Sequence, residues 1–325
     1  MLETAILADP QIEPAGLSTT GCFHAAIACV GKYLHQHGYR FTTVSPATHR
    51  RVIERDPLRT AHNLRDVFGW NLPFAEEVLP SFVLEAMSGA GLLVEETGGR
   101  VRSAVRFATL GARLYVHDGF PTQATDAVFF GPDTYRFVAA ARRRLRQCDL
   151  LVDVCCGTGV GGLELTDRCQ RMVLADLSAK ALIFAEANRR LASSPPARLY
   201  QGDLLEGLHE RPDAIIANPP YLVDALGRTY REGGGNRGTA MALRIVETAL
   251  HQLAPGGQLL LYTGVPVVDG VDLFAAEALP LASAARAVIN YAEIDPDVFG
   301  EELESPAYHD VERIAVVLLE LTLPF

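Results

Sequence analysis

From residue 149 to residue 325, short apolar segments alternate with segments of helical periodicity. Strand–helix–strand units of this kind build open sheets of mainly parallel strands with helices on both faces. The pattern therefore predicts an α/β architecture with a doubly wound sheet of seven strands. The predicted strands cover residues 150–154, 172–176, 198–203, 214–218, 258–262, 287–293 and 313–321.

The front part of the chain has a different pattern, in which helices are followed by a hairpin. Apolar spacing predicts a helix over 17–38, one or two over 50–70 and another over 76–89, and then strands over 92–96 and 101–108. This order predicts a mainly helical, winged-helix-like domain over residues 1–118 and a sheet domain over 119–325. Because residues 79–89 contain Glu85 and no lysine or arginine, we expect the front domain to cap a substrate or form a homodimer rather than bind DNA.

A glycine-rich loop follows the first predicted strand of the sheet. It contains Cys155, Gly157, Thr158, Gly159 and Gly162. Glycines at a strand-to-helix turn let a ligand approach the backbone more closely than a Cβ atom would permit. Since the spacing also satisfies the G-x-G-x-x-G pattern of dinucleotide sites, the loop by itself does not identify the cofactor.

Acidic residues lie at three successive strands, on the edge where open α/β sheets bind ligands. Asp153 lies within the first strand and can face the ammonium group of a cofactor that carries an amino acid. Asp176 ends the second strand, before Leu177, and can accept hydrogen bonds from ribose hydroxyls. Asp203 ends the third strand, before Leu204, where both can contact an adenine. Together with the tetrapeptide described next, these residues favour S-adenosylmethionine over a dinucleotide.

The tetrapeptide Asn218-Pro219-Pro220-Tyr221 follows the fourth strand at the same edge. The Asn218 side-chain oxygen and the Pro219 carbonyl can accept the two hydrogens of a planar amide or amine nitrogen, which directs its lone pair toward a methyl donor. The prolines fix φ near about −65° and offer no N–H group. Tyr221 can stack on a planar acceptor or hydrogen-bond through its hydroxyl. This predicts N-methylation driven by positioning and oriented dipoles, without a strong base.

With these residues assembled, the chain from about residue 125 to 325 resembles the Rossmann-like, class I N-methyltransferases that carry an Asn-Pro-Pro-Tyr signature. It looks most like release-factor glutamine methyltransferases and the related small-subunit ribosomal RNA guanine methyltransferases. Further similar segments are 130–135, at the position of the family's substrate loop, 233–238 and 255–257. The resemblance implies that the loop and strand-end residues bind S-adenosylmethionine and that 218–221 bind the target nitrogen. The chain departs from the family at Cys155, where a glycine is usual, and in its front domain.

The charge distribution bears on the methyl acceptor. Residues 1–150 carry 16 basic and 15 acidic side chains, whereas residues 151–325 carry 13 basic and 24 acidic ones. A strongly acidic catalytic half favours a protein glutamine or a small molecule as acceptor over RNA. Methylation of an rRNA or tRNA base stays an alternative, as does an enzyme that transfers the aminocarboxypropyl group or cyclises the cofactor. A DNA-binding sensor without catalysis is a further alternative.

Cysteine spacing and hydropathy exclude other classes. The six cysteines form no C-x-x-C pair, so we expect free thiols and no metal site. No run of about 18 apolar residues is present, which predicts no membrane-spanning helix. Glu3, Asp9 and Glu13 interrupt the start of the chain, so we expect no secretory signal and a cytoplasmic location.

Overall fold

The structure, a computed structural model, describes residues 17–235 and 237–325. The front part is mainly helical, as expected, and ends in two hairpins. Its elements are α1 (Leu17–Gln36), α2 (Pro46–Ile53), α3 (Leu64–Phe68), α4 (Ser81–Gly89), β1 (Leu93–Glu96), β2 (Arg100–Ser103), β3 (Val105–Leu110) and β4 (Arg113–Asp118). The acidic residues at positions 3, 9 and 13, used above to predict location, lie outside the described residues, as does Asn236 of the segment 233–238.

Local capping determines where the front helices begin. The Ser45 hydroxyl accepts a hydrogen bond from the backbone N–H of Thr48 at 3.2 Å, and Pro46 occupies the first turn, so α2 starts before the predicted position 50. The Asn63 side chain caps α3 in the same way, through the N–H of Asp66. Two helices therefore occupy the region in which one or two were predicted.

The strand predicted over 101–108 is wrong in one respect, because it is two strands. β2 pairs with β1, whereas β3 pairs with β4 in a separate hairpin. The break lies after Ser103, whose hydroxyl donates to the carbonyl of Val105 at 2.6 Å. A local side-chain bond of this kind competes with ladder pairing and turns the chain.

The rest of the chain forms the predicted sheet and its helices. These elements are α5 (Pro132–Arg144), β5 (Cys148–Val154), α6 (Val160–Leu163), β6 (Cys169–Asp176), α7 (Ala179–Leu191), β7 (Arg198–Gln201), β8 (Ala214–Ala217), α8 (Ala240–Gln252), β9 (Gln258–Val268), β10 (Val271–Asp272), α9 (Leu273–Ala284), β11 (Val288–Asp295) and β12 (Arg313–Thr322). The strand order is β11-β12-β9-β8-β5-β6-β7, and the two-residue β10 pairs with β9. The strands β7, β6, β5, β8 and β9 are parallel to one another. β12 runs antiparallel to β9, and β11 runs antiparallel to β12.

Alternate side chains of the central strands pack into two cores on opposite faces of the sheet. Val152 and Val154 lie in one core with α8 and α9, whereas Leu151 lies in the other with α5 and α7. Burial on both faces is what a doubly wound parallel sheet requires. The expected Rossmann-like fold is confirmed.

The front part packs directly on the sheet domain through α7. Val30 and Leu34 of α1 share a core with Phe184 of α7. Asn188, which is fully buried, accepts from the N–H of Val116 at 2.7 Å and donates to the carbonyls of Val116 and Thr158 at 3.0 and 2.9 Å. One side chain thus joins β4 to the glycine-rich loop. A domain boundary at residue 118 stays a prediction. None of the helices described is long and apolar enough to cross a bilayer.

Candidate active site

A cavity of about 590 Å³ opens at the carboxyl edge of the parallel strands. It is lined by the loop after β5, the end of β6, residues 218–222, Gly227 and residues 229–232. Because parallel strands end at one edge, segments far apart in sequence converge there. Of the residues predicted to be functional, the cavity is lined by Asp153, Cys155, Gly157, Thr158, Asp176, Leu177, Asn218, Pro219, Pro220 and Tyr221.

The carboxylate of Asp176 fixes the glycine-rich loop. Its Oδ2 accepts from the N–H of Gly157 at 2.8 Å, and its Oδ1 accepts from the N–H of Ser178 at 2.9 Å. Gly157 has φ of 52°, and a Cβ atom built on it would meet nothing within 4 Å. The loop therefore presents bare backbone to open space, which suits close approach of a ligand. A carboxylate has about four lone-pair sites, so Asp176 keeps capacity for ligand hydroxyls.

Asp153 is buried beneath this loop. Its Oδ2 accepts from the N–H of Gly162 at 2.7 Å. Burial raises the pKa of Asp153 from 3.8 to about 7, the hydrogen bond from Gly162 opposes that rise, and the nearby charge of Asp176 adds to it. A cation placed in the cavity would favour the charged form of this carboxyl group.

The other loop residues differ in their surroundings. Cys155 adopts φ of 55°, the left-handed region that glycine favours, and burial raises the pKa of its thiol. It therefore stays a neutral thiol at physiological pH. Thr158 is buried, whereas the Leu177 side chain is 65% exposed and offers an apolar face at the rim of the cavity.

Three predicted cofactor residues do not line the cavity. Gly159 is the N-cap residue just before α6, has φ of 73° and packs against Ala185. The Asp203 carboxylate pairs with the guanidinium of Arg244 at 2.7 Å, and Leu204 is buried in the core beside β7 and α8. Their role in binding a cofactor stays a prediction.

The segment Asn218–Tyr221 follows β8, which pairs with β5, so it lines the cavity beside the start of the glycine-rich loop. Among the hydrogen bonds of the described residues, the buried Asn218 Oδ1 atom has no partner. A buried acceptor without a donor costs about 1–3 kcal/mol, so this atom is suited to a ligand N–H group. Tyr221 is buried, and its hydroxyl donates to Oδ2 of Asp133 at 2.9 Å.

Sequence reasoning missed several side chains of the cavity. Asp133 lies in the first turn of α5, inside the segment 130–135 that was compared with a substrate loop, and that resemblance was the available signal. Phe129 and Tyr230 stack with ring centroids 5.2 Å apart and also line the cavity. Their pairing across a long stretch of chain left no pattern in the sequence.

The lining of the cavity is acidic. Within the described part of the chain it includes five carboxyl groups, those of Asp126, Asp133, Asp153, Asp176 and Glu232, against one basic side chain, Arg231. Arg231 is already paired with Glu302 at 2.5 Å. The arrangement can bind a cation and a neutral, planar hydrogen-bond donor side by side.

Comparison with known proteins finds similarity to methyltransferases. Residues 141–264 match the family model described as Methyltransferase small domain. The release factor glutamine methyltransferase of Deinococcus radiodurans is 31% identical over 187 residues, which cover 53% of this chain and 63% of that protein. The 4-amino-L-phenylalanine/4-methylamino-L-phenylalanine methyltransferase of Streptomyces pristinaespiralis is 32% identical over 147 residues, which cover 41% of this chain and 49% of that protein.

These alignments span less than two thirds of the length of either curated relative. Among solved structures, Trm5 of Methanocaldococcus jannaschii in complex with adenosine is similar with a TM-score of 0.50 and 14% identity, over 85% of this chain and 78% of that one. A likeness at this identity concerns the fold. The chain therefore has the Rossmann-like methyltransferase fold, and a methyltransferase family model covers the central part of its sheet domain.

Proposed function

We propose that this protein is an S-adenosylmethionine-dependent methyltransferase that acts on a planar amide or amine nitrogen. The observation that carries the proposal is the unpartnered, buried Oδ1 atom of Asn218. It lies in the same cavity as the glycine-rich loop, where the N–H of Gly157 bonds to Asp176. The N–H group of an acceptor nitrogen would satisfy this atom. The bare backbone of the glycine-rich loop leaves space for a nucleoside beside it.

The residues of the cavity fit the proposed cofactor. Asp176 would accept hydrogen bonds from its ribose, Leu177 would pack on its adenine, and Asp153 would face its ammonium group. Gly157, Thr158 and Cys155 line the cavity and would contact the bound cofactor. Gly159, Asp203 and Leu204 lie outside the lining and would contact it only after a movement of the loops around them. When bound, S-adenosylmethionine supplies the sulfonium methyl group.

Asn218 and its neighbours would then prepare the acceptor. The Asn218 side chain and the Pro219 carbonyl accept the two hydrogens of the nitrogen, and the rigid prolines keep these acceptors in place. With both hydrogens bound, the lone pair points toward the methyl donor, and rate is gained from alignment and fixed dipoles. Burial and Asp133 raise the pKa of Tyr221 well above its usual value. Tyr221 therefore stays protonated, and it would contact the acceptor without acting as a base.

The charge of the cavity supports a protein glutamine or a small molecule as acceptor. Asp133 and Asp126 have Arg136 and Lys180 beside them, but Asp176 and Glu232 have no ion-pair partner among the described residues and would repel a polyanionic backbone at close range. The relatives described above include one named for a release factor glutamine and one named for an aromatic amine. Both acceptors carry a planar nitrogen of the kind that we propose Asn218 binds.

The test is a binding titration followed by a transfer assay. S-adenosylmethionine should bind the purified protein in calorimetry, and Asn218→Ala should keep that binding but lose methyl transfer by about 10²-fold or more. The acceptors to compare are a glutamine-containing peptide, 4-aminophenylalanine and total RNA, with labelled cofactor. S-adenosylhomocysteine as the product indicates methyl transfer, whereas methylthioadenosine indicates attack on another sulfonium carbon. Absence of cofactor binding at millimolar concentration would contradict the proposal.

A further inference from the structure

Asp133 binds two tyrosines at once. Its Oδ2 accepts from the hydroxyl of Tyr221 at 2.9 Å, and its Oδ1 accepts from the hydroxyl of Tyr262, on β9, at 3.0 Å. The guanidinium of Arg136 lies 3.3 Å from the same Oδ1 atom. Asp133 is 9% exposed and lines the cavity. Its position in the first turn of α5, where the helix dipole favours a negative charge, suits a carboxylate.

Packing leaves the Tyr221 ring little freedom apart from this bond. A Cβ atom at Gly264 would collide with the ring, and one at Gly238 would collide with the Tyr221 carbonyl. Phe299 meets the ring edge at a centroid distance of 5.9 Å. These contacts restrict the ring but do not bond the hydroxyl of Tyr221. The hydrogen bond to Asp133 fixes the position of that hydroxyl.

We propose that Asp133 is a positioning residue that acts through Tyr221 to fix the acceptor-binding segment 218–221, an inference that rests on the proposed function. Tyr221 follows Asn218 after two prolines whose φ angles are locked. A change in the Tyr221 side chain is therefore transmitted along a stiff segment to the acceptor atoms of Asn218 and Pro219. A misplacement of about 1 Å at such atoms can cost about 10²-fold in rate.

The role differs from that of a base or a cofactor ligand. Oδ1 of Asp133 accepts from both the Tyr262 hydroxyl and Arg136, and Oδ2 accepts from the Tyr221 hydroxyl, so Asp133 has fewer free lone-pair sites than Asp176. Burial raises the pKa of Tyr221, which keeps its hydroxyl protonated. Loss of Asp133 should thus lower kcat and leave the affinity for S-adenosylmethionine unchanged, because among the described residues Asp133 bonds to Tyr221, Tyr262 and Arg136 and not to Asp153, Asp176 or the glycine-rich loop.

The experiment compares Asp133→Asn with Tyr262→Phe as a matched control. Both variants disturb the same buried pair of hydrogen bonds, but Asp133→Asn replaces the charged acceptor of the Tyr221 hydroxyl, whereas Tyr262→Phe leaves that acceptor in place. We expect kcat to fall about 10- to 100-fold in Asp133→Asn and to stay within about twofold in Tyr262→Phe. The Kd for the cofactor should stay within about twofold in both. In a Tyr221→Phe background, Asp133→Asn should add less than about twofold, because its target hydroxyl is gone.

A measurement that needs no acceptor accompanies the kinetics. In protein labelled with 13C at the tyrosine Cζ atoms, the Tyr221 signal, assigned as the one missing in Tyr221→Phe, should shift in Asp133→Asn. An unmoved signal, or equal losses of kcat in Asp133→Asn and Tyr262→Phe, would overturn the inference. Binding of the cofactor without any methyl transfer by the wild type would instead contradict the proposed function, and the Tyr221 signal would still decide whether Asp133 holds the ring.

Discussion

Replacing Asp153 by asparagine should change how the stability of the protein depends on pH. The Asp153 carboxyl group is 2% exposed, and its one hydrogen bond among the described residues comes from the N–H of Gly162. Burial raises its pKa from 3.8 to about 7. An asparagine of nearly the same shape can still accept the bond from Gly162, but it does not ionise. The variant therefore isolates the cost of a buried negative charge.

The size of the effect follows from the pKa of Asp153. Because that pKa is higher in the folded than in the unfolded state, the folded protein binds more protons between about pH 4 and pH 7. The stability contributed by this group is thus lost as pH rises through that window, and the loss is complete above it. A tenfold change in proton affinity corresponds to about 1.4 kcal/mol, so the full loss is about 4 kcal/mol. Relative to the wild type, Asp153→Asn should gain about 2–3 kcal/mol between pH 5 and pH 8.

Urea unfolding, followed by circular dichroism at pH 5, 6, 7 and 8 without cofactor, measures this gain. The matched control is Asp203→Asn, the same substitution at a strand-end carboxylate that is 42% exposed in its pair with Arg244. Its difference from the wild type should stay constant within about 0.5 kcal/mol over the same pH range. A difference for Asp153→Asn that is equally flat would refute the assignment of a buried, late-titrating carboxyl group.

Three further predictions concern binding and packing. The affinity for S-adenosylmethionine should rise between pH 6 and pH 8 as Asp153 ionises and attracts the cationic cofactor, and should be lower and flat in Asp153→Asn; calorimetry at several pH values would contradict this if the wild type were flat. Asn188→Ala should lower the free energy of unfolding by about 3 kcal/mol, because three buried backbone groups lose their partner; a loss below about 0.5 kcal/mol in urea would disprove it. Gly264→Ala should cost about 1–3 kcal/mol because its Cβ collides with Tyr221, whereas Gly89→Ala, in α4 with nothing within 4 Å of its Cβ, should leave the temperature of thermal unfolding unchanged or raise it, because alanine is the better helix former.

Much of the sheet and one wall of the cavity could be predicted because their signals are local. Strand periodicity, the glycine-rich loop and the acids Asp153 and Asp176 lie within short segments, and the geometry of parallel strands brings their ends to one edge. The fold prediction was confirmed for this reason. The roles of the individual residues stay predictions, since the structure shows their positions and not their ligands.

The rest depended on contacts between segments distant in sequence. Arg244, 41 residues beyond Asp203, pairs with that acid. No sequence pattern at Asp203 distinguishes an acid that will be paired in this way from one that faces a ligand. Similarly, at the break after Ser103 the side chain of Asn71, 32 residues earlier, donates to the Ser103 carbonyl at 2.8 Å, a contact that strand periodicity does not record.

The front part of the chain has a further consequence for the site. Since Asn188 donates to the carbonyl of Thr158 while it bonds both backbone groups of Val116, the glycine-rich loop is supported from outside the sheet. A loop rich in glycine loses much conformational entropy on ordering, and a preordered loop binds its ligand at lower cost. The front part, from which Pro46 also lines the cavity, should therefore contribute to the affinity of this loop for its ligand. This distinguishes it from a separate module joined by a linker, whose loss would leave the loop after β5 unchanged.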